Sequence, residues 1–203
     1  MPVAWIAPDT GFMAEVPLHK KWTREECNLL EKAGLAGLHR YELIEGELVE
    51  KVGKNHPHVY VLLLLNDWLR SVFQSRCVVP EAPIDVAPLD QPTSAPEPDS
   101  IVLKQPYGRY ARGVPPSEIL LLAEVSDTTI GFDLSTKARL YARAGICDYW
   151  VLDVRNRRVI VHRNPVDGRY QSVESYAADE PISALHAPQA SVLVANFFDF
   201  DED

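Results

Sequence analysis

The sequence predicts one domain of mixed α/β type, on the border with α+β, in which a mixed central sheet is flanked by helices. Short apolar runs typical of strands alternate along the chain with longer segments of helical periodicity. Residues 120–125 are apolar except for Glu124, as expected of a central strand that is covered on both faces. A chain of 203 residues, of which 46% are hydrophobic and 24% charged, can bury one sizeable core.

The composition favours a cytoplasmic protein without membrane segments or a disulfide framework. The longest apolar stretch, residues 59–65, is too short to cross a bilayer, and the N-terminus lacks the pattern of a signal peptide. The three cysteines, Cys27, Cys77 and Cys147, are widely spaced and fit neither a set of disulfide bonds nor a zinc site.

Charge is unevenly distributed along this acidic chain. The net charge of −9 argues against loose binding to nucleic acid. Residues 100–170 nevertheless contain 11 lysines and arginines against 7 aspartates and glutamates, so the region around Glu124 is the basic part of the protein. Charges that only solvate the surface would give the same count, and both interpretations stay open.

The first elements are predicted from capping and turn signals. Residues 1–22, which contain prolines and show no periodicity, are predicted to form an arm that is disordered or packs on a neighbour. A capping box at residues 23–26 predicts a short helix to about residue 33. Residues 41–50 are typical of two short strands joined by a turn at residues 45–46.

A long apolar helix is predicted next. Asn55 can cap it, Pro57 suits its first turn, and its pattern continues to about Gln74. Because its apolar residues extend most of the way round, we expect this helix to be largely buried against a sheet. Short strands are then predicted on both sides of a proline-rich link, at residues 77–79, 84–87 and 100–103.

The second half of the domain begins with the central strand and a helix after it. Asp133 or Ser135 can cap this helix, and Gly145 is well placed to end it. A hairpin and an edge strand are predicted to follow, at residues 149–154, 158–162 and 170–173. The domain is thus expected to cover residues 23–175, and the aromatic, acidic residues 176–203 are expected to be an extension that packs on it or on a partner.

Two carboxylates mark a candidate metal site. Asp99 precedes one predicted strand, and Glu124 lies near the end of another. If these strands are neighbours, both carboxylates can bind one hard cation such as Mg²⁺, which prefers oxygen ligands and keeps water molecules at its other positions. Ser126 lies on the same strand face as Glu124. For Asp99 alone, a capping role in the loop is the alternative.

A hydrolytic metal site also needs a cation that stabilises developing negative charge. Lys137 is the candidate, because it falls with Tyr141 on the inward stripe of the predicted helix. The alternative is that its aliphatic stem packs inward while the ammonium group reaches solvent.

Two upstream residues complete the candidates. Among the glutamates of the first hairpin, we select Glu47 as an extra ligand or a water-orienting carboxylate, although most such charges are solvated. His56 can polarise water or bind phosphate, with a hydrogen bond to the helix terminus as its alternative. Phosphate-loop, dinucleotide-binding and serine-hydrolase sites are excluded, because the chain lacks G-x-x-x-x-G-K-[ST], G-x-G-x-x-G and G-x-S-x-G.

These residues together resemble a known superfamily. Asp99 after a proline, with Glu124 two positions before Ser126, resembles the PD-(D/E)XK nuclease superfamily with serine in place of its usual lysine. Within it, residues 23–163 are similar to the bacterial Uma-type putative restriction endonuclease family. The segments that carry the similarity are residues 41–48, 98–99, 124–126, 137, 141, 144–146 and 148–153.

The resemblance implies a restriction-endonuclease-like core and a phosphodiesterase site that uses Mg²⁺, with Mn²⁺ as a substitute, to cleave DNA. Asp99 and Glu124 become metal ligands, Lys137 becomes the superfamily lysine relocated to the helix, and Glu47 becomes the upstream carboxylate. A homodimer is expected. The candidates for contacts with the substrate are His56, Ser126, Arg139, Arg143, Arg155, Arg157 and Arg158.

A non-enzymatic interaction or scaffold protein with a nuclease-like fold is the alternative. The acidic net charge and the aromatic, acidic C-terminus favour it, since both suit a protein partner or a second copy of the chain.

Overall fold

The computed structural model describes residues 19–34, 37–51 and 55–200. The predicted N-terminal arm lies mostly outside these ranges, as do the last three residues of the predicted C-terminal extension. Over the described part of the chain, no helix combines the length and the apolar character that crossing a membrane requires.

A short helix and a hairpin come first in the chain. Helix α1 (Arg24–Lys32) begins with the predicted capping box, in which the Thr23 hydroxyl accepts from the amide of Glu26 and the Glu26 carboxylate accepts from the amide of Thr23. Strands β1 (Tyr41–Ile44) and β2 (Glu47–Glu50) form the antiparallel hairpin that the sequence predicts.

Helix α2 (His56–Val72) is capped by Asn55, whose side-chain oxygen accepts from the amide of His58 at 3.0 Å. Its buried stripe contains Val61, Leu65 and Leu69, whereas Val59 and Leu63 are half exposed. The expectation that this helix is largely buried is therefore wrong, because only one of its faces meets the sheet.

A six-stranded mixed sheet forms the centre of the fold. Its strands, which follow one another in space in the order of their numbers, are β3 (Val78–Pro80), β4 (Ser100–Leu103), β5 (Ile119–Ser126), β6 (Asp148–Asp153), β7 (Arg158–Val166) and β8 (Arg169–Tyr176). Strands β5 and β6 are parallel, and the other neighbours in this sheet are antiparallel. A parallel pair needs a long crossover connection, which residues 127–147 supply.

The crossover contains helix α3, which has three consecutive segments, Ile130–Phe132, the π-helical turn Asp133–Lys137 and Ala138–Arg143. In the π-helical turn, the amide of Ala138 donates to the carbonyl of Asp133, five residues earlier. The helix stops at Gly145, whose φ of 77° lies in the left-handed region that glycine adopts readily.

Helices cover both faces of the sheet, as predicted. Helix α2 packs on the face that carries Leu121, Ala123 and Trp150, whereas α3 packs on the face that carries Leu122 and Tyr149. Because side chains alternate along a strand, Glu124 points to the same face as Leu122 and therefore toward α3.

The C-terminal segment completes the core on the α2 side. Strands β9 (Pro181–Ile182) and β10 (Val192–Leu193) pair with each other, and a 3₁₀ turn (Val194–Phe197) follows. Phe197 is fully buried, with its ring 5.7 Å from that of Trp68. Asp148 ties the segment to β6 by accepting from the amide of Leu185 at 2.6 Å.

Two secondary-structure predictions are wrong. Residues 84–87 form no strand, since their amides bond to two loop carbonyls and to the side chain of Gln91. Helix α3 begins at Ile130, so neither Asp133 nor Ser135 caps it. The carboxylate of Asp133 accepts from the hydroxyl of Thr129 at 2.8 Å instead.

Candidate active site

Asp99, which directly precedes β4, lies beside Glu124 of the neighbouring strand β5. The antiparallel register of β4 and β5 pairs Ser100 with Ala123, which places the residue before β4 beside Glu124. Asp99 is held there because its Oδ2 accepts from the amide of Val125 at 2.8 Å. The first condition of the predicted metal site, that the two strands are neighbours, is thus met.

Lys137 reaches this point from the π-helical turn of α3. Its buried Nζ lies 3.0 Å from Oε1 of Glu124, 2.8 Å from Oε1 of Glu42 and 3.9 Å from Oδ1 of Asp133. One ammonium group is therefore shared by three buried carboxylates. The ammonium group faces the site, not solvent, so the alternative in which it extends to water does not apply to this structure.

Glu124 receives a second donor from α3. The buried hydroxyl of Tyr141 donates to Oε1 of Glu124 at 2.8 Å, the same oxygen that contacts Lys137. Lys137 and Tyr141 are four residues apart and so lie on one face of the helix. The helix thereby holds one oxygen of Glu124 from two successive turns.

The cluster carries more negative than positive charge, and the pKa values reflect this. Burial, together with the neighbouring carboxylates and against the attraction of Lys137, raises the pKa of Glu124 to about 8. Burial by itself would lower the pKa of Lys137, but Glu124, Glu42 and Asp133 together raise it, so this lysine stays charged. Burial also raises the pKa of Asp133. An additional cation would relieve this imbalance.

The cluster lines a cavity of about 410 Å³ that is rich in carboxylates. The acidic residues in its lining are Glu42, Glu50, Glu81, Glu97, Asp99, Glu124, Asp127 and Asp133, against the two lysines Lys51 and Lys137. Such oxygen donors suit a hard divalent cation. Within the described ranges, no three His, Cys, Asp or Glu side chains already form a metal cluster.

Among the other candidates, Glu47 and His56 lie away from this cluster, whereas Ser126 lies next to it, within hydrogen-bond reach of Asp133. Glu47 has 68% of its side-chain surface exposed and pairs with Lys21 at 2.7 Å, whereas Glu42, from the preceding strand, has 8% exposed and contacts Lys137. His56 is also exposed, and its ring stacks on Tyr60 at 6.2 Å. Ser126 is buried close to the cavity, with its hydroxyl 3.3 Å from that of Thr129.

The arginines selected as substrate contacts are distributed over the surface, and several are engaged by carboxylates. Arg143 pairs with Asp90 and Glu45, and Arg139 is exposed near Thr136. Arg155 pairs with Asp127, and Arg158 pairs with Asp153. Arg157 donates to the backbone carbonyl of Phe200.

The structure adds four residues that the sequence analysis did not select for the site, namely Glu42, His58, Asp133 and Tyr141. Asp133 lies four residues before Lys137 and Tyr141 lies four residues after it, so helical periodicity gave a signal for Asp133 and Tyr141. Glu42 has the same residue type as its neighbours in the hairpin, and only the packing of the hairpin against α3 distinguishes it.

The chain is similar to a sequence family and to a solved structure. The profile of the family described as "Uma2: Putative restriction endonuclease" matches residues 25–195. The fold is similar to the crystal structure of a protein from Anabaena variabilis described as "a putative nuclease belonging to DUF820", with a TM-score of 0.56 and 18% sequence identity over 78% of this chain and 89% of that chain. No curated protein gives a significant match.

Proposed function

The chain belongs to the Uma2 putative restriction endonuclease family, and on this premise we propose that it is a nuclease that hydrolyses phosphodiester bonds in DNA with a divalent metal ion, Mg²⁺ or Mn²⁺. The observation that carries the proposal is the meeting of Asp99, Glu124 and Lys137 at one acidic cavity. Family membership supports nuclease chemistry, and the carboxylate-rich lining supports the choice of a hard cation.

Asp99 and Glu124 are the proposed metal ligands. When bound, the ion supplies a water molecule of lowered pKa and neutralises charge on the scissile phosphate. The amide of Val125 orients Asp99, and Tyr141 and Lys137 occupy only Oε1 of Glu124. These contacts hold both carboxylates in place before substrate arrives, which lowers the cost of organising the site.

Lys137 is the proposed electrostatic catalyst. In the reaction, a water oxygen bonds to phosphorus while the bond from phosphorus to the leaving sugar oxygen breaks, and negative charge accumulates on the phosphoryl oxygens. A buried ammonium group next to that charge stabilises it more than a solvated one would. Glu42 and Asp133 keep Lys137 protonated and aimed at the cavity.

Cleavage assays with duplex DNA, single-stranded DNA and RNA, each with Mg²⁺ or Mn²⁺, test the proposal. We expect Asp99→Asn, Glu124→Gln and Lys137→Met to lower the rate on DNA roughly 100-fold or more. Glu174→Gln is the matched control, since it neutralises an exposed carboxylate on the edge strand β8. Wild-type rates in the three site variants would refute the assignment, and cleavage of RNA alone would change the substrate.

Homodimer formation belongs to the same proposal. Cleavage of both strands of a duplex breaks two phosphodiester bonds, and two copies of this chain related by a two-fold axis would supply one site for each. Light scattering of the purified protein, with and without duplex DNA, measures the mass directly, and a monomer under both conditions would contradict this part of the proposal.

A further inference from the structure

His58 is a second histidine of α2, and its position differs from that of His56. Two hydrogen bonds of the Asn55 side chain fix the start of the helix. Its oxygen accepts from the amide of His58, and its Nδ2 donates to the carboxylate of Asp127 at 2.6 Å. Asp127 follows the end of β5. This cap anchors the first turn of α2 at the carboxyl end of β5, and His58 lines the cavity there while His56 remains exposed.

The Nε2 atom of His58 is buried but poorly satisfied. It lies 3.4 Å from Oδ1 of Asp99, and it has no hydrogen-bond partner of good geometry among the residues that the structure describes. A buried polar atom without a hydrogen bond costs free energy, so such an atom at a functional site calls for a ligand.

The separation of Nε2 and Oδ1 fits two ligands of one metal ion. With metal–ligand bonds of about 2.1 Å, neighbouring ligands of an octahedral ion such as Mg²⁺ or Mn²⁺ lie about 3.0 Å apart, so the 3.4 Å between Nε2 and Oδ1 has to shorten by about 0.4 Å when the ion binds. Asp99 already takes part in the proposed metal site through its position beside Glu124.

We infer that His58 is a nitrogen ligand of the metal ion, together with Asp99 and Glu124, and that this mixed set of donors makes the site prefer Mn²⁺ over Mg²⁺. The inference rests on the proposed function. Mg²⁺ takes oxygen ligands almost exclusively, whereas Mn²⁺, which also favours carboxylate and water, is a transition-metal ion that accepts one imidazole nitrogen at a lower cost in free energy. Exchanging one oxygen donor for a nitrogen donor therefore shifts the preference toward the transition ion.

Isothermal titration of Mn²⁺ and Mg²⁺ into the full-length protein tests the preference. We expect wild type to bind Mn²⁺ more tightly than Mg²⁺, and His58→Ala to lower the Mn²⁺ affinity by roughly 10- to 100-fold or more, since even indirect supporters of a metal ligand have effects of that size. The Mg²⁺ affinity should fall less. His56→Ala is the matched control on the same helix, and its Mn²⁺ affinity should equal that of wild type.

Pulsed electron paramagnetic resonance of bound Mn²⁺ provides a readout that is independent of catalysis. We expect a ¹⁴N coupling in wild type and in His56→Ala, and its loss in His58→Ala. Labelling wild-type histidines with ¹⁵N should change the coupling, which keeps the test valid if the His58 variant does not fold.

The outcomes separate this inference from the proposed function. Bound Mn²⁺ without nitrogen coupling, in a protein whose DNA cleavage still needs Asp99 and Glu124, would overturn the role of His58 and leave the nuclease proposal intact. Absence of any Mn²⁺ or Mg²⁺ binding to wild type, with or without DNA, would overturn both.

Discussion

At the scale of single residues, the dominant feature is one buried ammonium group among several carboxylates. Removing a partner from a buried ion pair is costly because it leaves an uncompensated charge, so such clusters restrict which residues evolution or a designer can change. Lys137 has three carboxylate neighbours within 3.9 Å, and they come from a strand of the hairpin, from the central sheet and from its own helix. Its position therefore depends on three elements at once.

The pair Glu42 and Glu47 provides a prediction at this scale. Glu42→Gln removes a carboxylate that touches Lys137 at 2.8 Å, so we expect a loss of roughly 10-fold or more in DNA cleavage as the lysine is less well held. Glu47→Gln removes only an exposed ion pair and should leave the rate within about twofold of wild type. Initial rates at saturating metal measure both, and the reverse ranking would restore Glu47 as the upstream carboxylate.

The sequence was sufficient to select Asp99, Glu124 and Lys137 as candidates because each has a local signal. The two carboxylates flank apolar strands, and the lysine falls on an apolar helical stripe, where a charge is unexpected. Glu42 and His58 lack such a signal, since a glutamate in a charged hairpin and a histidine near a helix terminus are ordinary. Only the docking of β1 against α3, and the direction in which Asn55 starts α2, distinguish them from Glu47 and His56.

At the scale of elements, the strands were the more predictable part, because short continuous apolar runs between turn signals leave few alternatives. The apolar run at residues 84–87 is the exception, because its amides donate hydrogen bonds to loop carbonyls and to the side chain of Gln91 instead of to a neighbouring strand. The π-helical turn of α3 could not be predicted, because one extra residue in a helical turn leaves the composition unchanged and is stabilised by the contacts of Asp133 and Lys137.

A cluster of aromatic rings on strands β6, β7 and β8 contains a buried histidine, which leads to a prediction of how stability depends on pH. The imidazole of His162 lies between Tyr149 and Tyr170, at ring distances of 5.1 and 5.4 Å, and burial lowers its pKa below the usual 6.5. Below pH 6.5 the unfolded chain binds a proton at this residue that the folded chain does not. The contribution of His162 to the free energy of unfolding should therefore fall as the pH decreases below 6.5, by at most about 1.4 kcal/mol per pH unit, whereas Glu124, whose pKa is raised, contributes with the opposite sign.

Urea unfolding between pH 5 and 7.5 measures this slope. His162→Phe keeps an aromatic ring in the same place but cannot bind a proton, so the free energy of unfolding of wild type should fall relative to that of the variant as the pH decreases from 7.5 to 5. His186→Gln changes an exposed histidine and should leave the slope unchanged. Equal slopes for wild type and His162→Phe would show that His162 is protonated alike in the folded and unfolded chains.

At the scale of the whole molecule, charge decides how the protein can approach a polyanion. The chain has a net charge of −9, the candidate cavity is lined by eight carboxylates and two lysines, and several of the arginines nearby are paired with acids. A DNA phosphate entering this cavity without a cation would meet repulsion, because affinity for DNA comes largely from neutralising its phosphates.

This arrangement predicts that DNA affinity depends on metal. We expect a divalent ion to tighten binding of a non-cleavable phosphorothioate duplex at least roughly 10-fold over EDTA at constant ionic strength. Asp99→Asn, which removes a negative charge and a proposed ligand, should bind no more weakly than wild type in EDTA and should lose the response to metal. Fluorescence anisotropy measures both affinities. Metal-independent binding by wild type would instead favour the interaction or scaffold protein.

The spacing of the cluster along the chain has a consequence for biosynthesis. Glu42 leaves the ribosome 95 positions ahead of Lys137, which at about 5–20 residues per second corresponds to roughly 5–19 s. The β1–β2 hairpin can form early in that interval, but the lysine that completes its contacts has not yet been made. A nascent chain thus carries no assembled centre until translation has passed the crossover helix, and an incomplete translation product that ends before this helix lacks the lysine on which the proposed cleavage depends.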